Sequence, residues 1–268
     1  MNVTTTTSDP TRPFPERHAD EVRQIFRERG AEGVVAFALD RADRVQRRQL
    51  FALAHQEIGC ADGHGGNLDG YVTLMHCAFD EFLRQAAEET DPAEAAKRKD
   101  YANILAFNFS STLAECWPED GTPRAERHFR EGLLAAERCL AWRRELGKGP
   151  GPFSLAWWAK GAHELSLGRA ADAAISFATS GSKAAEVARA GGASTAIEVG
   201  GDFGVILAEG YCGLALARAG DPAGAARFEA ACAAFEGTAA QAAGEAGDDA
   251  RFGAAQLRCM RDRLDARA

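Results

Sequence analysis

The sequence predicts an all-α protein made of antiparallel helix pairs, with about ten helices in total. Ala accounts for 56 of the 268 residues, whereas only 9 are Val and 6 are Ile. Ala is the best helix former, while Val and Ile favour sheets. Apolar residues recur at steps of three and four, which is the period of an amphipathic helix. Gly and Asp-Pro pairs stand where such helices are expected to end and begin.

The first third of the chain predicts a tail followed by a group of helices over residues 16–90. Residues 1–15 are rich in Thr and Pro, so we expect a disordered tail. Gly30 is the expected end of the first helix, and the Gly-rich segment 60–70 predicts a loop. The predicted helices of this part are 16–29, 31–58 and 71–89.

The rest of the chain, residues 91–268, predicts a helical repeat region. Asp91-Pro92 and Thr122-Pro123 are start signals, because a short polar cap followed by Pro favours the first helical turn. Gly147, Gly168 and Gly220 are expected to end helices. The predicted helices are 92–117, 123–146, 153–167, 169–190, 202–219, 222–243 and 249–266.

A repeated pattern of small residues supports this division. A signature G-x6-G-x4-A occurs twice at an offset of 52 residues, in Gly161, Gly168 and Ala173 and in Gly213, Gly220 and Ala225. Small residues let two helices cross closely, and the second Gly of each copy lets the chain reverse. We expect Ala173 and Ala225 at crossings, where Leu would overpack. Stacked helix pairs then bury a continuous core.

These residues resemble the tetratricopeptide repeat family. The match is clearest over residues 154–187, where the family's signature positions are held by Trp157, Gly161, Gly168, Ala173 and Phe177. The second copy has Glu209 in place of Trp and Phe228 one place early, and neither copy has the closing Pro. The repeat spacing also exceeds the family's usual length of about 34 residues. The resemblance therefore implies a degenerate, tetratricopeptide-like α-solenoid.

The resemblance also implies a binding groove on the first helix of each pair. Its partner-binding positions fall on Leu155, Trp158, Ala162, Leu165, Leu207 and Leu214. All are apolar, so we expect the groove to take an amphipathic helix or peptide. That helix would belong to a partner protein, to a second copy of the chain, or to the chain's own N-terminal helices. The predicted function is a non-enzymatic interaction scaffold.

The charge and the cysteine content indicate which partners and which cellular compartment to expect. The net charge of −8 disfavours nucleic acid, and the densest basic run, Arg41, Arg44, Arg47 and Arg48, is interleaved with Asp and fits a solvated helix face. The seven Cys are odd in number and widely spaced, as in a reducing cytoplasm. No stretch approaches the roughly 18 apolar residues of a membrane span. We therefore expect a cytoplasmic protein without a membrane partner.

One cluster of metal-binding residue types leaves an alternative open. It comprises His55, Cys60, Asp62, His64, His76, Cys77 and Asp80. His and Cys suit zinc, but their spacing matches no recognised zinc pattern. No catalytic motif is present, so we assign no catalytic residue, metal ligand or cofactor. The alternative function is a metal- or ligand-dependent helical enzyme, or a ligand-sensing regulator, using this cluster. Whether His55, Cys60, His64 and His76 converge stays open at this point.

Overall fold

The computed structural model describes residues 13–267, and in that range it contains eleven α-helices, a short 3-10 helix at Glu16–His18 and no strand. Neighbouring helices pack as pairs, which confirms the prediction of an all-α fold and is consistent with a helical repeat solenoid. The helices are α1 Ala19–Leu39, α2 Arg44–Ile58, α3 Ala61–His64, α4 Leu68–Ala87, α5 Pro92–Leu113, α6 Glu126–Glu145, α7 Pro150–Ser166, α8 Ala170–Ala190, α9 Phe203–Arg218, α10 Ala223–Gln241 and α11 Glu245–Asp265.

The chain divides into two compact units, and the division falls within α5. The first unit extends to Leu105 and the second begins at Ala106. Residues 1–12 of the predicted tail lie outside the described residues. Phe14 is described, and its ring centroid lies 4.7 Å from that of His18.

The first unit is held together by α1, α2 and α4, which pack against one another. Phe51 of α2 and Phe82 of α4 meet edge to face with 6.4 Å between ring centroids. Tyr71, in the first turn of α4, is also fully buried. The short α3 stands in the Gly-rich segment that the sequence predicts as a loop.

The predicted helix over residues 31–58 is wrong, because two helices cover this range. Gly30, with φ 65° and ψ −162°, is not helical: it ends the first helical segment of α1, as expected, and a second segment continues across the kink to Leu39. A new helix then begins after Asp43, whose side chain accepts a hydrogen bond from the Val45 backbone N–H at 2.7 Å. Asp43 is the N-cap of α2: its side chain accepts the Val45 N–H, which a helix start otherwise leaves without a partner. This hydrogen bond favours the start of a new helix at Arg44.

In the second unit each helix from α6 to α11 packs on the next one in sequence. The core is aromatic at its centre: Phe177 of α8 stacks on Tyr211 of α9 with 5.0 Å between centroids. Gly161 of α7 lies so close to the Phe177 ring that a Cβ there would be 2.9 Å from two ring carbons. The small residue is therefore what admits the aromatic ring at this crossing.

The two predicted turn glycines end α7 and α9 in the same way. Gly168 has φ 76° and Gly220 has φ 89°, a region that disfavours every residue with a Cβ. After the first, the Arg169 N–H donates to the Glu164 carbonyl at 2.8 Å; after the second, the Asp221 N–H donates to the Leu216 carbonyl at 2.9 Å. This is the Schellman pattern, which satisfies carbonyls that a helix end leaves open.

The predicted role of Ala225 is wrong by one residue. Ala173 is fully buried at the crossing of α7 and α8, as expected, but Ala225 is exposed. Gly224 is buried in its place, with the carbonyl oxygen of Gly213 2.6 Å from where its Cβ would be. The early Phe228 fits this shift, because it too is buried. The second helix of this copy is therefore displaced by one residue relative to the first copy.

Candidate functional site

An apolar cavity of about 310 Å³ lies in the second unit. Six elements form it: α5, the connection between α5 and α6, α7, α8, α9 and α11. Five of its lining residues are aromatic, and most of the others are small or aliphatic. The lining residues are Phe107, Ser111, Trp117, Ser154, Leu155, Trp158, Ser180, Phe203, Gly204, Leu207, Ala208, Phe252 and Gln256.

Three of the aromatic side chains form a connected wall. Trp117 meets Trp158 edge to face and stacks on Phe252, in each case with 6.1 Å between ring centroids. The Trp117 Nε1–H donates to the Ser111 carbonyl oxygen at 2.8 Å. Since this donor is already satisfied, Trp117 presents ring surface to the cavity.

The segment that carries Trp117 is held by the last helix. Arg263 of α11 donates to the carbonyl oxygen of Glu115 at 2.8 Å and to that of Trp117 at 3.0 Å. Arg267 pairs with the Glu115 carboxylate. A bond from a guanidinium is stronger than one from a neutral donor, so the position of Trp117 depends on α11.

The Ser154 and Ser180 hydroxyls and the Gln256 amide are hydrogen-bonded within the protein, whereas the buried Trp158 Nε1–H has no partner among the described residues. The Ser154 hydroxyl donates to the Ser180 carbonyl at 3.0 Å, and the Ser180 hydroxyl donates to the Ser154 carbonyl at 2.9 Å. Gln256 Nε2 donates to the Cys116 Sγ at 3.4 Å. Burial raises the pKa of the Cys116 thiol to about 12, so this thiol stays protonated at neutral pH. Cys116 is therefore not an activated nucleophile, and the cavity beside it is mainly apolar.

The mouth of the cavity carries large exposed hydrophobic side chains. Leu155 is 50% exposed, Phe252 45% and Phe203 37%. Val187 of α8 extends this surface: it is exposed and lies against Gly151, one helical turn before Leu155 in α7. Exposed apolar residues gathered at one place mark an interaction surface more often than scattered ones do.

The six residues predicted to bind a partner separate into two groups. Leu155, Trp158 and Leu207 line the cavity. The other three belong to the buried core and do not line it, namely Ala162, Leu165 and Leu214. The sequence analysis did not identify four aromatic residues of the cavity wall, Phe107, Trp117, Phe203 and Phe252. The repeated signature includes none of these four positions, so no local signal marks them.

The His and Cys residues of the predicted cluster differ in their burial and in their hydrogen-bond partners. His55 Nδ1 lies 2.7 Å from the Tyr71 hydroxyl, and burial lowers the His55 pKa to about 4. His64 is buried, and its Nδ1 accepts the Gly66 N–H at 3.1 Å. Cys60 is exposed. Within residues 13–267 no three His, Cys, Asp or Glu side chains come together as a metal site would require.

None of the helices over the described range has the length and apolar character of a bilayer-spanning segment. No protein-family model matches the chain. No curated protein is significantly similar to it. A solved structure from "Computational Design of Self-Assembling Cyclic Protein Homooligomers" is similar over 94% of this chain and 95% of its own, with 14% sequence identity and a TM-score of 0.31. A similarity at this TM-score carries no argument about the chain.

Proposed function

We propose that this protein is a non-enzymatic interaction scaffold whose second unit binds an amphipathic helix of a partner protein. The observation that carries the proposal is the aromatic cavity of about 310 Å³ with exposed Leu155, Phe203 and Phe252 at its mouth. The tetratricopeptide-like pattern supports the same function, because that family binds peptides on the first helix of each pair. Seven free thiols fit a cytoplasmic setting.

The volume suits the apolar side chains of such a helix. A cavity of roughly 150 Å³ lined by apolar residues holds one benzene molecule. The cavity here, at about 310 Å³, has room for about two side chains of that size. Buried aromatic or aliphatic anchors in such pockets supply most of the affinity of an interface.

The distribution of exposed surface favours a helix over a small molecule. A small apolar ligand inside the cavity would contact the inner sides of Leu155 and Phe252 but would leave their outer sides and Val187 in water. A helix lying across the mouth covers these side chains and inserts anchors between them. Ser154 and Ser180 already use their hydroxyls on each other's backbone carbonyls, so these two hydroxyl protons are not free to bind a polar ligand.

The proposal can be tested with peptides selected on the whole chain. Random peptides of about 15 residues, enough for four helical turns, are displayed on phage and selected for binding. The selected peptides should carry large apolar residues at positions i, i+3 or i+4, and i+7. Phe252→Ser should weaken their binding by about 2 kcal/mol, or roughly 30-fold, because it removes an aromatic contact at the mouth.

The matched control is Ile175→Ser in α8. Ile175 is 66% exposed and does not line the cavity, so peptide binding should be unchanged. Equal binding by the Phe252 variant and the parent would contradict the proposal. Sedimentation of the chain alone checks self-association: a dimer that Phe252→Ser dissociates would identify a second copy, and not another protein, as the occupant.

A further inference from the structure

Gln85 of α4 connects two arginines of the first unit. Its side chain is fully buried, and its Oε1 accepts a hydrogen bond from Arg48 of α2. Its backbone carbonyl accepts one from Arg98 of α5 at 3.1 Å. The Gln85 amide nitrogen donates to Glu81 at 2.6 Å and to the Arg44 carbonyl at 3.3 Å, so the amide is fully used. The two guanidinium groups are thus held near each other by one fixed residue.

The carboxylates around Gln85 are already paired with other arginines. Glu81 pairs with Arg84 and Arg47, Glu88 with Arg44 and Arg84, and Glu89 with Arg98. The Asp43 carboxylate, which also acts on Arg48 electrostatically, caps α2 through the Val45 N–H. Within the described part of the chain, Arg48 has no ion pair.

The surroundings of Arg48 are unfavourable for an unpaired charge. Its guanidinium is partly buried, and only Nη1 is bonded among the described residues; its other N–H groups reach solvent. Burial and the nearby Arg98 lower the Arg48 pKa below its ordinary value. A partly buried cation beside a like charge is costly to keep without an anion, and such charges concentrate at functional sites.

We propose that Arg48 and Arg98 form a binding site for a small phosphate-type oxyanion, distinct from the apolar cavity of the second unit. Guanidinium groups match the geometry of phosphate oxygens and bind them through two parallel hydrogen bonds. Arg48 supplies free N–H groups, and Arg98 adds positive charge. Tyr101, 53% exposed on α5, interacts electrostatically with Arg48.

The charges around the site favour a small ligand over nucleic acid. Glu81, Glu88, Glu89 and Asp43 surround the arginines, and the whole chain carries a net charge of −8. A polyanion would bring several phosphates against these carboxylates, whereas a single phosphate can bind the free N–H groups of Arg48 beside Arg98 with fewer such contacts. The phosphate is either free or part of a small phosphomonoester.

Calorimetric titration of the whole chain with inorganic phosphate and with glycerol phosphate tests the proposal and identifies the source. Sodium chloride at matched ionic strength is the reference. Arg48→Gln should weaken phosphate binding at least tenfold, since the free guanidinium is lost. Arg44→Gln is the control on the same helix: Arg44 is paired with Glu88, so the affinity should change less than twofold.

Glu89→Gln provides a test that a folding defect cannot imitate. The substitution frees Arg98 from its carboxylate, so phosphate should bind several-fold more tightly. An equal response to phosphate and to chloride would overturn the proposal, as would unchanged affinity in the Arg48 variant. Binding of single-stranded DNA that Arg44→Gln and Arg48→Gln weaken equally would overturn the small-ligand assignment.

Discussion

Replacing Gly224 by Ala tests how closely α9 and α10 cross. The added Cβ would fall on the backbone nitrogen of Ala217 and lie 2.6 Å from the carbonyl oxygen of Gly213. Both obstacles are backbone atoms of the facing helix, so no side-chain rotation can relieve the contact. The two helices must move apart, which loosens the core around Phe228.

The expected cost follows from two opposing effects. Overpacking a core costs about 1–3 kcal/mol, and the upper end applies because backbone atoms must shift. Ala in place of Gly within a helix stabilises the helix by about 1 kcal/mol through its higher helix propensity. The net loss in the free energy of unfolding should therefore be about 2 kcal/mol. With a urea dependence of about 2 kcal/mol per molar, the midpoint should fall by about 1 M.

Tryptophan fluorescence during urea unfolding measures this loss in the right part of the chain. All four Trp belong to the second unit, at positions 117, 142, 157 and 158. Gly191→Ala at the C-cap of α8 is the matched control, because its φ of −86° suits any residue and the nearest atoms to the added Cβ would be carbonyl oxygens at 3.6 Å. The control should be as stable as the parent or slightly more so. A Gly224 variant with an unchanged midpoint would refute the close crossing.

Three further predictions concern the turns, the buried histidine and the cavity wall. Gly168→Ala and Gly220→Ala should each lower the free energy of unfolding by about 1 kcal/mol in urea titrations, because both positions need positive φ. Burial lowers the His163 pKa to about 4, so the folded state resists protonation that the unfolded chain accepts below about pH 6.5. Stability should be full above that pH and fall by about 2 kcal/mol by pH 5, with a flatter dependence in His163→Gln. Trp158→Ala, at a side chain only 7% exposed, should cost about 3–5 kcal/mol in denaturant titrations, and an unchanged midpoint would show that Trp158 is not part of the core.

Local signals in the sequence predicted most of the helices. Positive-φ glycines at 147, 168, 192 and 220 follow helix ends, and the Asp202 side chain caps α9. These features act between residues a few positions apart, so neighbouring residue types are enough to predict them. The same reasoning failed at Asp43, where a cap within a charged run is indistinguishable from a surface carboxylate until its bond to Val45 is seen.

Composition and residues nearby in the chain govern the helical class, the turns and the close crossing at Gly161, so these features could be predicted from the sequence. The replacement of Ala225 by Gly224 at the second crossing could not, because a one-residue shift of a helix depends on the helix that it packs against. The same holds for the cavity, whose walls run from Phe107 to Gln256. The hydrogen bond between Arg48 and Gln85 is a further example, because the two residues lie 37 positions apart in the chain. Such contacts depend on the rotation and crossing of packed helices, and a local pattern contains no information about either.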